Sequence, residues 1–282
     1  MRNKKYPLAD LSAVHDACGT GFIAEVSGKP SRRVVISAIA SLKRLAHRGA
    51  RGADNKTGDG SGLLTDIPQE FFSAILKKDF QTELEDDEVL AIAMVFGRDK
   101  ETSAVEQILN TTVLECGMRA IGARNVPINP EVLGEVAKSS CPVIRQFLIA
   151  CPQKDERPVE SRLYFLRKAT EKSLRRKGVH AFICSLSSKS IIYKGLMSSS
   201  QIDFFYLDLL EDNYTAKMAV FHERYSTNTT STWEMAQPFR LIAHNGEINT
   251  IKGNRLWMQA REREMNSPYW NDDLETLKPI IS

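Results

Sequence analysis

Apolar positions set the first divisions of the chain. Arg32 to Ala46 carries Val35, Ile39, Leu42 and Leu45 at helical spacing, which predicts an amphipathic helix. Phe22 to Val26 alternates weakly and predicts a strand before it. His47 to Gly62 breaks both periods: Gly49, Gly52, Gly58, Gly60 and Gly62 stand among Asp54, Asn55 and Asp59, so an ordered loop is expected. Leu63 to Ile67 predicts a short strand, and Pro68 opens a helix through about Lys78.

The middle of the chain alternates. Strands are expected at Val89–Phe96, Arg119–Val126 and Pro142–Cys151, with helices at Glu101–Cys116 and Glu160–Lys177. Ala181–Leu186 and Ser190–Lys194 predict a hairpin. Lys217–Arg224 and Leu241–His244 predict strands, and Thr250–Met265 a helix. Strands and helices mix without a strict βαβ rhythm, which favours a layered α/β or α+β fold. Leu274 to Ser282 shows no obvious cap or closing element, which reads as a truncation.

The 282 residues suffice for one large domain or two modest ones. A net charge of +3 gives no ground for binding nucleic acid or a membrane surface. The longest apolar runs are too short to span a bilayer, and no apolar h-region follows the basic start Met1-Arg2-Asn3-Lys4-Lys5. A cytoplasmic protein is expected. The five cysteines are odd in number and scattered, against a disulfide framework. With no Cys-x-x-Cys pair, a structural zinc or iron–sulfur site is not expected here. Cys116, Cys141, Cys151 and Cys184 read as small buried hydrophobes.

Cys18 differs, since it heads Cys18-Gly19-Thr20-Gly21-Phe22 close to the start of the chain. A thiol attacks only as thiolate and needs a base. Cleavage after Ala17 would create an α-amino group beside the sulfur, with a pKa of roughly 7.7–8.0 suited to general-base work. The alternative is a buried cysteine in a glycine-rich turn. Asn245 and Gly246 offer an amide donor and an unobstructed backbone N–H, the pair an oxyanion site needs, or else merely a turn. Arg224, and Arg48 in the glycine-rich loop, could each fork a substrate carboxylate or form surface ion pairs. His47, His222 and His244 have no spacing that makes a metal site and read as structural hydrogen-bonding groups.

These residues carry a resemblance. Cys18–Phe22, His47-Arg48-Gly49, the loop Ala53–Gly62, His222–Thr229 and Gln237–Asn254 together resemble the N-terminal glutaminase domain of glutamate synthase large subunits. Other class II amidotransferases share the cysteine and the Asn-Gly pair, but not the Ala53–Gly62 loop in this form. The resemblance implies an α+β fold of the N-terminal-nucleophile hydrolase type, an αββα sandwich of two antiparallel sheets flanked by helices. It implies hydrolysis of L-glutamine to glutamate and ammonia. It assigns the nucleophile to Cys18, the oxyanion donors to Asn245 and Gly246, and carboxylate binding to Arg224 with Arg48 as helper. Residues 1–17 are then a removable propeptide and 18–282 the amidotransferase domain, incomplete at its C-terminal end, since the family's Gly-Ser-Asp-Ser segment is missing. FMN, an iron–sulfur cluster and the flavin domain are expected only in the remaining glutamate synthase domains or subunits, which become the expected partners. A non-catalytic or assembly subunit of a split glutamate synthase, or another class II amidotransferase, are the other readings.

Overall fold

The computed structural model describes residues 19–223, 231–240 and 250–281. The first sheet contains β1 (Thr20–Ala24), β2 (Ser61–Asp66), β7 (Ser190–Gly195) and β8 (Met218–Glu223), in the order β1-β8-β2-β7. The second contains β3 (Glu88–Gly97), β4 (Arg119–Asn125), β5 (Val143–Pro152) and β6 (Ala181–Ser187), in the order β4-β5-β3-β6. Neighbouring strands in both sheets run antiparallel. The longer helices are α1 (Arg32–Arg44), α2 (Gln69–Phe80), α3 (Thr102–Glu115), α5 (Val159–Arg176) and α7 (Ile251–Glu262); α4 (Glu135–Ser139), α6 (Ile202–Phe205) and α8 (Leu274–Leu277) are short. Two antiparallel sheets with flanking helices form the expected α+β architecture.

β3 shows why the sheets stack. Its side chains alternate between faces, yet both faces are apolar. Ala91, Ala93 and Val95 join Val105, Ile108 and Leu109 of α3 and Leu163 and Leu166 of α5 in one core. Leu90, Ile92, Met94 and Phe96 join Leu63, Tyr193 and Phe221 of the first sheet, with α1 and α2, in the other. α2 ends where Gln81 turns left-handed (φ 50°) and its N–H bonds to Leu76 O, an αL cap.

A closed polar network crosses this second core. Arg124 and Asp208 form an ion pair, Arg124 Nε donates to Gln146 Oε1 at 2.8 Å, Gln146 Nε2 donates to the Tyr193 hydroxyl at 3.0 Å, and that hydroxyl donates to Asp208 Oδ2 at 2.9 Å. Buried polar groups are tolerated when each finds a partner in this way.

Three expectations need correction. Ala181–Leu186 and Ser190–Lys194 are not a hairpin, because β6 pairs with β3 and β7 with β2 in different sheets. Ser188 and Lys189 lack the residues that favour a tight hairpin turn. The Glu160 carboxylate instead collects Ser188 N at 2.7 Å and the Ser187 and Ser188 hydroxyls, turning the chain from one sheet to the other. Residues 274–281 are not without structure: Leu274 and Leu277 of α8 are buried, and Ile280 N donates to Glu262 Oε1 at 2.6 Å. The first strand begins and ends two residues earlier than its alternation indicates, at Thr20–Ala24. The expected strand Leu241–His244 lies outside the described residues.

Candidate active site

Cys18, Arg224, Asn245 and Gly246 lie outside the described residues, as does His244. Their described neighbours define the end of the first sheet. The Glu223 N–H donates to Gly19 O at 2.7 Å, and Thr20 stands opposite His222. Gly19 follows Cys18 and Glu223 precedes Arg224, so these two sequence clusters meet where β1 and β8 pair. A methyl group on Gly19 would strike the Glu223 carbonyl. Only glycine allows this approach.

The row continues across the sheet, with Glu223 opposite Ser61 and Ser61 opposite Gly195. The segment 231–240 is held against it. Gly62 leaves no room for a Cβ beneath Gln237 and Pro238, and Gly195 none beneath Trp233. Lys194, fully buried, donates from Nζ to Glu234 O at 2.7 Å and sits 4.0 Å from the centre of the Phe239 ring, a cation–π contact. Burial brings its ammonium down to about 8.

The glycine-rich loop closes the other side. Asp54 caps its own turn, accepting from Thr57 N at 2.8 Å, Thr57 Oγ1 at 2.6 Å and Lys56 N at 3.0 Å, which holds its carboxyl well below the usual range. Asn55 takes the left-handed conformation there (φ 54°). Arg51 bridges Gly58, and Gly58 lies on the Met197–Ser198 backbone. Arg48 ends a short 3₁₀ turn, Ala46–Arg48, half-buried, with its N–H donating to Leu45 O at 2.7 Å. The His47 ring Nδ1 lies 3.0 Å from Arg44 O, the structural bonding expected of it. Among the described residues no cluster of His, Cys, Asp or Glu is arranged to hold a metal ion.

The family model of the class-II glutamine amidotransferases matches residues 18–282. The chain belongs to this family. It is 44% identical over 273 residues to a glutamate synthase [NADPH] large chain of Azospirillum brasilense, covering 95% of this chain and 18% of that protein. It is 40% identical to the Bacillus subtilis glutamate synthase [NADPH] large chain, with coverages of 95% and 18%. It is 38% identical to a ferredoxin-dependent glutamate synthase 1 of Arabidopsis thaliana, with coverages of 99% and 18%. The chain thus spans about a fifth of the length of these relatives.

Within this amidotransferase, two buried ionisable residues escaped the sequence reading. Glu223 is 1% exposed, and its Oε2 has no hydrogen-bond partner among the described residues. Burial pushes its carboxyl up to about 7; nearby Asp59 adds to the rise, while Ser199 and Arg51 oppose it. Strand alternation was the available signal: Ala219, Phe221 and Glu223 share the buried side of β8. Lys194 hides in the apolar run of β7, where a lone lysine is easily taken for a strand end. The remaining described thiols are held protonated by burial, Cys116 and Cys141 at about 11 and Cys151 and Cys184 at about 12. No described helix is long and apolar enough to cross a membrane.

Proposed function

We propose that this chain is the glutaminase part of a glutamate synthase, hydrolysing L-glutamine to glutamate and ammonia. The observation that carries the reading is where the family match begins: on Cys18, two residues before the β1–β8 pairing. On this reading residues 1–17 are removed, and the freed α-amino group takes the Cys18 proton. The thiolate adds to the glutamine amide carbon, and Asn245 and Gly246 hold the resulting oxyanion. The α-ammonium returns the proton to the leaving nitrogen, ammonia departs and a thioester remains. Water then attacks the thioester, restoring the thiol and releasing glutamate. Arg224, helped by Arg48, forks the glutamine α-carboxylate.

The lengths of the relatives support remaining glutamate synthase domains as partners that consume the ammonia. FMN and an iron–sulfur cluster belong, on this reading, to those domains. The described cysteines of this chain, kept as thiols by burial, do not suit cluster ligation. Work in the cytoplasm accords with the scattered free thiols. The test combines mass spectrometry of the N-terminus with ammonia release from glutamine. A chain beginning at Cys18 and hydrolysing glutamine is expected; full activity with Met1 in place would overturn the leader's role, and no hydrolysis by the processed chain would overturn the enzyme reading.

A further inference from the structure

Glu223 stands at the end of the first sheet, its backbone bonded to Gly19, yet no step of the proposed hydrolysis uses it. Its carboxyl packs on Gly49 so closely that a Cβ there would overlap Oε1. Among the described residues the charged groups facing it are Asp59 and Arg51, both from the glycine-rich loop. β2 presents Ser61 opposite it, and the segment after β7 presents Ser199. One residue therefore joins the two: its main chain bonds Gly19, which follows Cys18, and its buried carboxyl packs on Gly49 of the loop that carries Arg48.

We propose that Glu223 is a positioning residue whose buried carboxyl, packed on Gly49, locks the loop 47–60 onto the end of β8 and so sets the glutamine site. The inference rests on the glutaminase reading for its consequence, but the lock itself does not. A neutral carboxyl packs against Gly49 at less cost than a charged one. An ionised one would be a buried charge beside Asp59. Burial, with Asp59 of the loop beside it, raises the Glu223 carboxyl from its ordinary 4.5 to about 7, and undocking the loop would expose the group and relax that rise. The lock is strongest below the open-state pKa, weakens as pH rises, and levels off above about 7.

The measurement is amide hydrogen exchange of residues 47–60, corrected for intrinsic rates, at about pH 5 and about pH 7.5, on this chain and on Glu223→Gln. Protection in the natural chain is expected to fall on the order of tenfold or more relative to the glutamine variant, whose carboxamide keeps the shape and cannot ionise. Gly49→Ala, whose methyl would press directly on the Glu223 carboxyl, should lose protection at both pH values. Equal protection profiles for the natural chain and Glu223→Gln would overturn the lock. In glutaminase assays KM for glutamine should rise with pH in the natural chain and stay flat in Glu223→Gln, with kcat changing less. A KM that tracks pH equally in both would overturn the site role. Absence of hydrolysis at every pH, beside the expected exchange result, would instead count against the glutaminase reading.

Discussion

Lys194 Nζ donates to the main-chain carbonyl of Glu234 at 2.7 Å, fixing a fully buried ammonium between a sheet strand and the segment 231–240. The folded protein holds this lysine at about 8, against an ordinary 10.5. Below about 8 both folded and unfolded chains carry the proton, and burial of the charge costs stability. Between about 8 and 10.5 the unfolded chain binds more protons, so this group's contribution to stability rises with pH.

Lys194→Met should therefore remove a pH-dependent cost on the order of 3 kcal/mol, offset in part by the orphaned Glu234 carbonyl. Chemical denaturation at about pH 8 and about pH 10 checks it. The difference in stability between variant and natural chain should shrink as pH rises. A difference that does not move with pH would mean that Lys194 titrates normally.

The two sheet-end glycines separate crowding from conformation. Gly19→Ala places a methyl against the rigid Glu223 carbonyl and should destabilise by about 2 kcal/mol or more. Gly97, at the end of β3, has open space where a Cβ would go. Gly97→Ala should be neutral or stabilising by up to about 1 kcal/mol, through the unfolded chain. Thermal unfolding of both reads the contrast directly.

Much of the fold was legible because its cores are built by period. β3 and α5 fall close to their predicted bounds, since their apolar positions repeat cleanly. The β6–β7 connection was not, because alternation cannot say which sheet a strand joins; Glu160, some 27 residues upstream of Ser187, decides it. The short helix α8 escaped because Leu274 and Leu277 gain meaning only when packed on α5. At the site, Gly19 and the Asp54 turn were legible as glycine-rich, polar sequence. Glu223 was quoted within a motif but not weighed, because its burial depends on Gly49, more than a hundred residues away in sequence.

The Arg124–Asp208 pair tests whether the polar network in the core stabilises or merely specifies. Asp208 has only 3% of its side chain exposed and Arg124 12%. Asp208→Ala leaves a buried guanidinium without its partner and should cost about 3–5 kcal/mol. Arg124→Met combined with Asp208→Leu should cost clearly less than the single change. Denaturant titration decides it; a double variant less stable than the natural chain would show that the pair contributes net stability, and one equally or more stable that it only specifies.

Thiol reactivity separates Cys18 from the other cysteines. With Cys151 and Cys184 held at about 12, and Cys116 and Cys141 at about 11, almost none is thiolate at neutral pH. Brief alkylation of the folded chain beginning at Cys18, followed by peptide mapping, should find modification at Cys18 ahead of these four, and bound glutamine should slow it. Cys18→Ser should keep the fold and lose hydrolysis, whereas Cys184→Ser should cost roughly 1 kcal/mol of stability and keep activity. Faster labelling of Cys116 than of Cys18 would remove the basis for the nucleophile.

The assigned roles of Arg224 and Asn245 differ in when they act. A guanidinium on the glutamine α-carboxylate holds substrate and transition state alike, so Arg224→Lys should raise KM with less effect on kcat. Lysine keeps the charge but not the fork, and rescue is not expected. The oxygen served by Asn245 becomes fully charged only in the tetrahedral intermediate. Asn245→Ala should then lower kcat by ~100-fold or more while glutamine binding stays nearly intact. Steady-state glutaminase kinetics on the processed chain distinguish the two. If Asn245→Ala instead raised KM and Arg224→Lys lowered only turnover, the carboxylate and oxyanion assignments would have to be exchanged, because binding common to both states cannot appear in kcat alone.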